Sequence, residues 1–147
     1  MRKNKPVAII VDIDGVLADS VKDEYKLDFL RGDFTKFEAE IPTFDTFEVM
    51  VDIVKALKSK YKLVFVTARN EAYRIPTCDW LERHLCITAE DYDIHMRKIT
   101  DKRPDTQVKA EVLPKILKKY EVLAAFDDKA DNAKLFSYYG IISHHII

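Results

Sequence analysis

Residues 7–11 form an unbroken apolar run, Val7-Ala8-Ile9-Ile10-Val11, that stops at two aspartates one residue apart, Asp12 and Asp14. A strand that is apolar on both faces has to be covered on both faces, as a central strand of a parallel sheet is by its flanking helices. In open sheets of that kind ligands bind beyond the carboxyl ends of the strands. The paired carboxylates therefore fall where an active site is expected, and the run itself points to a layered α/β fold.

The rest of the chain agrees with that start. Further strand-like runs lie at 61–67, 120–128 and 140–147, and helix-like apolar spacing at 47–60, 77–85, 108–120 and 130–139 separates them. Such alternation predicts a parallel sheet with helices on both faces. Pro114 falls inside the third helical pattern, so that helix is expected to begin late or to kink there. Residues 20–46 are too long for an ordinary connection and rich in Phe and charge, and they are read as a small cap-like insertion over the strand ends. With 147 residues and 48% hydrophobic content the expectation is one domain over 1–147.

Charge and cysteine content exclude some function classes. The 24 basic and 25 acidic residues give a net charge of −1, without the basic footprint of a protein that coats nucleic acid, so a nucleic-acid substrate would be gripped locally. Cys78 and Cys86 have no histidines at zinc-ligand spacing and read as idle reduced thiols. Met1 to Lys5 are charged rather than signal-like, and no apolar stretch approaches membrane-spanning length, which leads to the expectation of a soluble cytoplasmic protein with no membrane partner.

Polar residues close each apolar run in turn. The first ends in Asp12-x-Asp14-Gly15, the second in Thr67-Ala68-Arg69 and the third in Asp127-Asp128, while Lys109 opens the helical pattern between the second and third. This order resembles the haloacid dehalogenase superfamily, whose motifs are an Asp-x-Asp, a Thr or Ser after a strand, a Lys and an acidic pair. The resemblance implies a Rossmann-like phosphatase fold with an insertion after the first strand.

The chemistry of phosphate-ester hydrolysis suits these residue types. Asp12 can attack phosphorus to form an aspartyl-phosphate, and Asp14, two positions on and on the same side of an extended chain, can protonate the leaving oxygen and later activate water. Mg2+ prefers hard oxygen ligands, so Asp12, the backbone carbonyl of Asp14 and Asp128 are its expected ligands, with Asp127 close by. Thr67 would donate its hydroxyl to a phosphoryl oxygen, Lys109 would hold that group's charge, and Arg69 offers a fork suited to phosphate.

Each piece has a plainer reading. Thr67 alone could cap a turn, Lys109 could be a solvated lysine, and Asp127-Asp128 could begin a helix. Four motifs in order at strand ends and helix starts outweigh those readings. Trp80, Leu81, Leu85, Phe126, Leu135 and Tyr138 are read as core. His144 and His145, adjacent in a strand, cannot both face one site and are given structural or surface roles.

The second half of the chain is similar to the phosphatase domain of polynucleotide kinase-phosphatases in its Met96-Arg97 pair, in Asp105 four residues before Lys109, and in Phe126-Asp127-Asp128. That resemblance adds Arg97 and Asp105 to Arg69 as substrate-binding residues and implies removal of 3′-phosphate from polynucleotide ends. The partners expected are phosphorylated nucleic-acid ends or nucleotides. No G-x-x-x-x-G-K-[ST] is present, so any paired kinase activity would come from a separate kinase. Lys22, Lys26 and Arg31 are the candidates for a further phosphate contact from the insertion. A nucleotidase or small-metabolite phosphatase, and a catalytically silent phosphate- or nucleic-acid-binding module, are the alternatives.

Overall fold

The computed structural model describes residues 4–147. Five parallel strands, β1 (Val7–Val11), β2 (Lys62–Asn70), β3 (Tyr92–Arg97), β4 (Glu121–Asp127) and β5 (Ile142–His145), form one sheet in the order β3-β2-β1-β4-β5. The chain builds outward from β1 to β3, then returns to the other side of β1 for β4. The reversal puts the carboxyl end of β1 at the switch point, between the ends of β2 and β4.

The period of two along β1 and β2 sorts their side chains into two cores. Ile9, Val11, Leu63 and Phe65 face a layer that includes Val51 and Val54 of α3 (Glu48–Leu57) and Trp80, Leu81 and Leu85 of α4 (Arg74–Leu85). Ala8, Ile10, Val64 and Val66 face Leu113 and Ile116 of α5 (Asp105–Lys119) and Phe136 of α6 (Ala130–Tyr138). Both faces of β1 are thus covered, as its continuous apolar run requires. Among the described residues, no helix is long and apolar enough to cross a membrane.

Several sequence expectations are corrected. Strand β3 was not anticipated, because it lies at the sheet edge and buries only Tyr92 and Met96, leaving no continuous apolar run to read. Helix α5 starts earlier than expected, at Asp105 just after Pro104, and runs unbroken past Pro114. The proline is exposed, so its ring and the carbonyl it leaves without a helical partner can face water, while Val108, Leu113 and Ile116 hold the helix to the sheet. Tyr138 is not core: it is 86% exposed, and Phe136 takes the inward position on α6.

Segment 20–46 contains two short helices, α1 (Lys26–Leu30) and α2 (Thr35–Glu40). Too short to be stable alone, they are held by an aromatic cluster in which Tyr25 meets Phe29, Phe37 and Phe44 at centroid distances of 5.8, 5.4 and 6.1 Å. The cluster is tied to the main body where the Trp80 indole N–H donates to the Phe44 carbonyl at 3.0 Å and the Arg83 guanidinium donates to the Pro42 carbonyl at 2.8 Å. Trp80→Phe should destabilise the protein by about 1–3 kcal/mol, because the buried Phe44 carbonyl loses its donor. Urea unfolding followed by far-ultraviolet circular dichroism checks this, and a loss near zero would mean that the tie is immaterial.

Candidate active site

Three strand ends converge on Asp12. Its amide donates to the Phe126 carbonyl at 2.9 Å, so the chain is still paired with β4 one residue past β1. From there it turns sharply, with the amides of Val16, Leu17 and Ala18 all directed at the Ile13 carbonyl. The turn depends on Gly15, whose φ of +80° L side chains rarely adopt, and a Cβ there would lie 2.1 Å from Asp128 Oδ2. The backbone of the first motif is therefore pressed directly against the acidic pair of the last.

Lys109 projects from α5 into the middle of this cluster. Its Nζ lies 2.6 Å from Asp127 Oδ2 and 3.3 Å from Asp12 Oδ1, and its side chain is only 2% exposed. Burial opposes the charge on Lys109, but the carboxylates of Asp12 and Asp127 outweigh it and raise its pKa, so the ammonium stays protonated. Asp127 is further fixed by the Lys129 amide at 3.0 Å and the Asn132 side-chain amide at 3.1 Å, both on Oδ1. Asn132, fully buried, in turn accepts from the Thr106 hydroxyl at 2.7 Å.

Oxygens of Asp12, Asp127 and Asp128 lie within 4.8 Å of one another. Burial, opposed by Lys109 and reinforced by Asp127, raises the pKa of Asp12; burial also raises that of Asp128. An octahedral Mg2+ holds oxygens at about 2.0–2.1 Å, which places opposite ligands roughly 4 Å apart. An all-oxygen cluster of this span with excess negative charge has the donor chemistry that such an ion requires. With both Asp127 oxygens engaged by neighbours, Asp12 and Asp128 are the freer donors. The Asp14 carboxylate lies outside the cluster, leaving only its backbone carbonyl as the ligand the sequence suggested.

Asp14 instead belongs to a second constellation. The Arg69 guanidinium grips it through Nε, at 3.1 and 3.0 Å to its two oxygens, and through Nη2 at 2.6 Å, while the Ser20 hydroxyl donates at 2.5 Å. Burial would raise the Asp14 pKa, but Arg69 and Ser20 overcome it and lower the value, holding a carboxylate. Arg69 is 5% exposed, donates to Thr77 Oγ1 at 3.2 Å, and lies over the Phe37 and Phe44 rings at 5.3 and 6.0 Å. In this conformation Arg69 is therefore not the open phosphate fork that the sequence suggested, because Asp14 occupies it.

Thr67, 1% exposed, accepts the Arg69 amide at 3.1 Å through its Oγ1, which leaves the hydroxyl proton to be donated. Arg97 is also committed to the protein. It donates to the Ala68 carbonyl at 3.0 Å, to the carbonyls of Asp101 and Arg103, and to Asp105 Oδ1 at 2.7 Å. Asp105 accepts from Lys129 with its other oxygen. Arg97 and Asp105 thus brace β2, α5 and the acidic-pair turn through these bonds.

Sequence reasoning missed Ser20, Thr77 and Asn132. Asn132 left a signal: a polar residue four before Phe136 on a face that turns inward, five after Asp127. His145 Nε2 lies 3.0 Å from the Asp128 carbonyl and His144 stacks on Phe126, which places both beside the acidic pair but outside the carboxylate cluster.

A family profile described as the polynucleotide kinase PNKP phosphatase domain matches residues 6–144. The chain belongs to this family. It is thereby a phosphatase of the haloacid dehalogenase superfamily, and its parallel sheet is shared with solved structures of that class. A chain from the Pnkp1/Rnl/Hen1 RNA repair complex superposes with a TM-score of 0.78 at 23% identity, covering 99% of this chain and 44% of that one. A haloacid dehalogenase-like hydrolase from Streptococcus pneumoniae gives 0.63 at 15% identity, covering 95% and 83%. An enzyme of the same superfamily from Bacteroides thetaiotaomicron, solved as a magnesium complex, gives 0.56 at 15%, covering 97% and 93%. The PNKP-type phosphatase chain spans less than half the length of the first two structures it matches. No curated protein matches it.

Removal of the central cation tests how this PNKP-type site is held. Lys109→Met leaves Asp12, Asp127 and Asp128 crowded without an internal counter-charge and should destabilise the protein by about 3–5 kcal/mol in EDTA. Denaturant unfolding measures it; a change below about 1 kcal/mol would show that the carboxylates shed their charge without Lys109.

Proposed function

We propose that the chain is a magnesium-dependent phosphomonoesterase that works through an aspartyl-phosphate on Asp12 and removes 3′-phosphates from polynucleotide ends. The observation that carries this reading is the buried Lys109 bridging Asp12 and Asp127, with Asp128 beside them, at the switch point of the sheet. The Lys109 ammonium fixes the direction of the Asp12 carboxylate and favours its ionised form against the burial that raises its pKa, as a nucleophile requires. The polynucleotide kinase name of the family and the RNA repair assembly of the Pnkp1 neighbour support a nucleic-acid end as substrate. A kinase acting on the same ends would be supplied from outside these 147 residues.

The positions of the side chains support the following steps. An Asp12 oxygen attacks phosphorus, the P–O bond to the sugar breaks, and the departing oxygen takes a proton from Asp14. Water then attacks the aspartyl-phosphate while Asp14 accepts its proton, releasing inorganic phosphate and restoring Asp12. Lys109 and the Thr67 hydroxyl neutralise the phosphoryl oxygens. Mg2+, held by Asp12, Asp128 and the Asp14 carbonyl, would supply further neutralisation of the transferred group.

Asp14 cannot donate a proton while Arg69 and Ser20 hold it as a carboxylate. An arriving phosphate dianion competes with Asp14 for Arg69, and release of the guanidinium would raise the Asp14 pKa toward that of a proton donor. Arg69 thus acts after the substrate arrives, which reconciles its buried ion pair with the phosphate-binding role suggested by the sequence.

Covalent trapping, substrate preference and magnesium binding each test this reading. Asp12→Asn should lose turnover by at least about a thousandfold with the fold retained, and acid quench of the wild type during turnover should leave phosphate on Asp12. A 3′-phosphorylated oligonucleotide should be a better substrate than a 3′- or 5′-mononucleotide; the reverse order would assign a nucleotidase, and no turnover of any ester would assign a silent binding module. Independently of turnover, Mg2+ should raise the melting temperature of the wild type, by the equivalent of about 2.7 kcal/mol at a hundred times its Kd. Asp128→Asn should lose most of that gain while being at least as stable as the wild type in EDTA, because one crowding charge is gone. An equal magnesium response in both proteins would place the ion elsewhere.

A further inference from the structure

Both arginines expected to meet substrate are engaged within the protein, so cations for a polynucleotide strand have to come from elsewhere on the rim. The insertion is a poor source. Residues 20–46 carry four basic side chains against seven acidic ones, and Lys26 and Lys36 are paired with Asp23 and Glu24. A phosphodiester chain approaching that side would meet net negative charge.

The segment 98–104, between β3 and α5, has the opposite character. It reads Lys98-Ile99-Thr100-Asp101-Lys102-Arg103-Pro104, and its only carboxylate is turned inward on Arg103, accepting from the Arg103 amide at 3.0 Å, from Nε at 3.0 Å and from Nη2 at 2.7 Å. Lys98 and Lys102 are exposed, and neither makes an ion pair within 4.0 Å among the described residues. Glu111, whose pKa is lowered first by Arg103 and also by Lys98, is already paired with Arg103.

This loop is fixed rather than draped. Arg97 beneath it donates both to the Ala68 carbonyl, between Thr67 and Arg69, and to the loop's own carbonyls at Asp101 and Arg103. Asn70, at the end of β2, donates to the Ile99 carbonyl at 3.2 Å. The loop therefore leaves the carboxyl edge of the sheet next to the strand end that carries Thr67, and the backbone that bears its two lysines is held there. Ordering of this kind before binding lowers the entropy lost when a strand is captured.

We propose that the 98–104 loop is the polynucleotide-binding rim of the site. Lys98 and Lys102 neutralise phosphodiesters next to the terminal phosphate, and Arg97 is the positioning residue that locks the loop to β2 and α5. The proposal rests on the polynucleotide reading above and names the surface that selects a strand over a mononucleotide. Lysine suits the task because each phosphodiester presents a single charge at a variable angle.

The test separates the rim from the activity. Binding of a 5′-fluorescein-labelled, 3′-phosphorylated single-stranded oligonucleotide is measured by anisotropy in EDTA over a range of salt, for the wild type and for Lys98→Ala/Lys102→Ala. For single strands the slope of log K against log salt is about −0.7 per phosphate neutralised, so losing two contacts should flatten it by about 1.4 and weaken binding at low salt by about tenfold. Lys98→Arg/Lys102→Arg should restore the wild-type slope. Equal slopes and affinities for the Ala variant and the wild type, or no binding by the wild type at low salt, would overturn the rim. Turnover of the same oligonucleotide with Mg2+ is scored separately: lysine-dependent binding without hydrolysis keeps the rim and sinks the phosphatase reading, whereas hydrolysis with lysine-independent binding does the opposite.

Discussion

The structure depends on one buried ammonium. Lys109 comes from a helix on one face of the sheet, passes between the ends of β1 and β4, and meets Asp12 and Asp127 out of reach of solvent. Removing such a charge from water costs several kcal/mol, and only close opposite charges with good geometry offset that cost. The two strand ends and the first turns of α5 are therefore fixed relative to one another by electrostatics as well as by packing. The same balance leaves the site negatively charged overall, with three carboxylates around one lysine, which is the condition under which a hard cation binds.

Around that centre the protein arranges its remaining charges in closed sets. Arg69 closes on Asp14, Arg97 on three carbonyls and Asp105, and Asp101 on Arg103. The first two sets link segments that are distant in sequence, and each of the three keeps a guanidinium or carboxylate from being stranded. The arrangement distinguishes charges that have internal partners from charges that do not. Residue type alone does not make that distinction, since an arginine suits phosphate and carboxylate equally well.

That ambiguity explains what the sequence did and did not reveal. The fold was legible from β1, β2 and β4, because buried parallel strands are continuously apolar, and Asp12, Thr67 and the acidic pair stood out as polar residues at or near the ends of those runs, with Lys109 in the helical pattern between the second and third. Strand β3 was hidden by its half-polar edge, and Tyr138 was placed inward because helix spacing alone does not say which of two neighbouring aromatic positions faces the sheet. The ion pair of Arg69 with Asp14 spans 55 residues and the tie of Arg97 to Ala68 spans 29, separations at which no local pattern reports a contact. Gly15 closes the first motif in the sequence, and the structure gives it two reasons, its positive φ and the approach of Asp128.

The path from the site to the insertion is short and consists mostly of aromatic residues. Arg69 lies on the rings of Phe37 and Phe44, and the Phe44 carbonyl accepts the hydrogen bond of Trp80, the sole tryptophan in the chain. An indole buried against that carbonyl has an emission set by its hydrogen bond and by the dryness of its surroundings. The protein thus carries its single tryptophan two contacts away from the Asp14–Arg69 pair. Any rearrangement that loosens the insertion when Arg69 changes partner would be visible in unlabelled protein, in real time, as a shift of tryptophan emission.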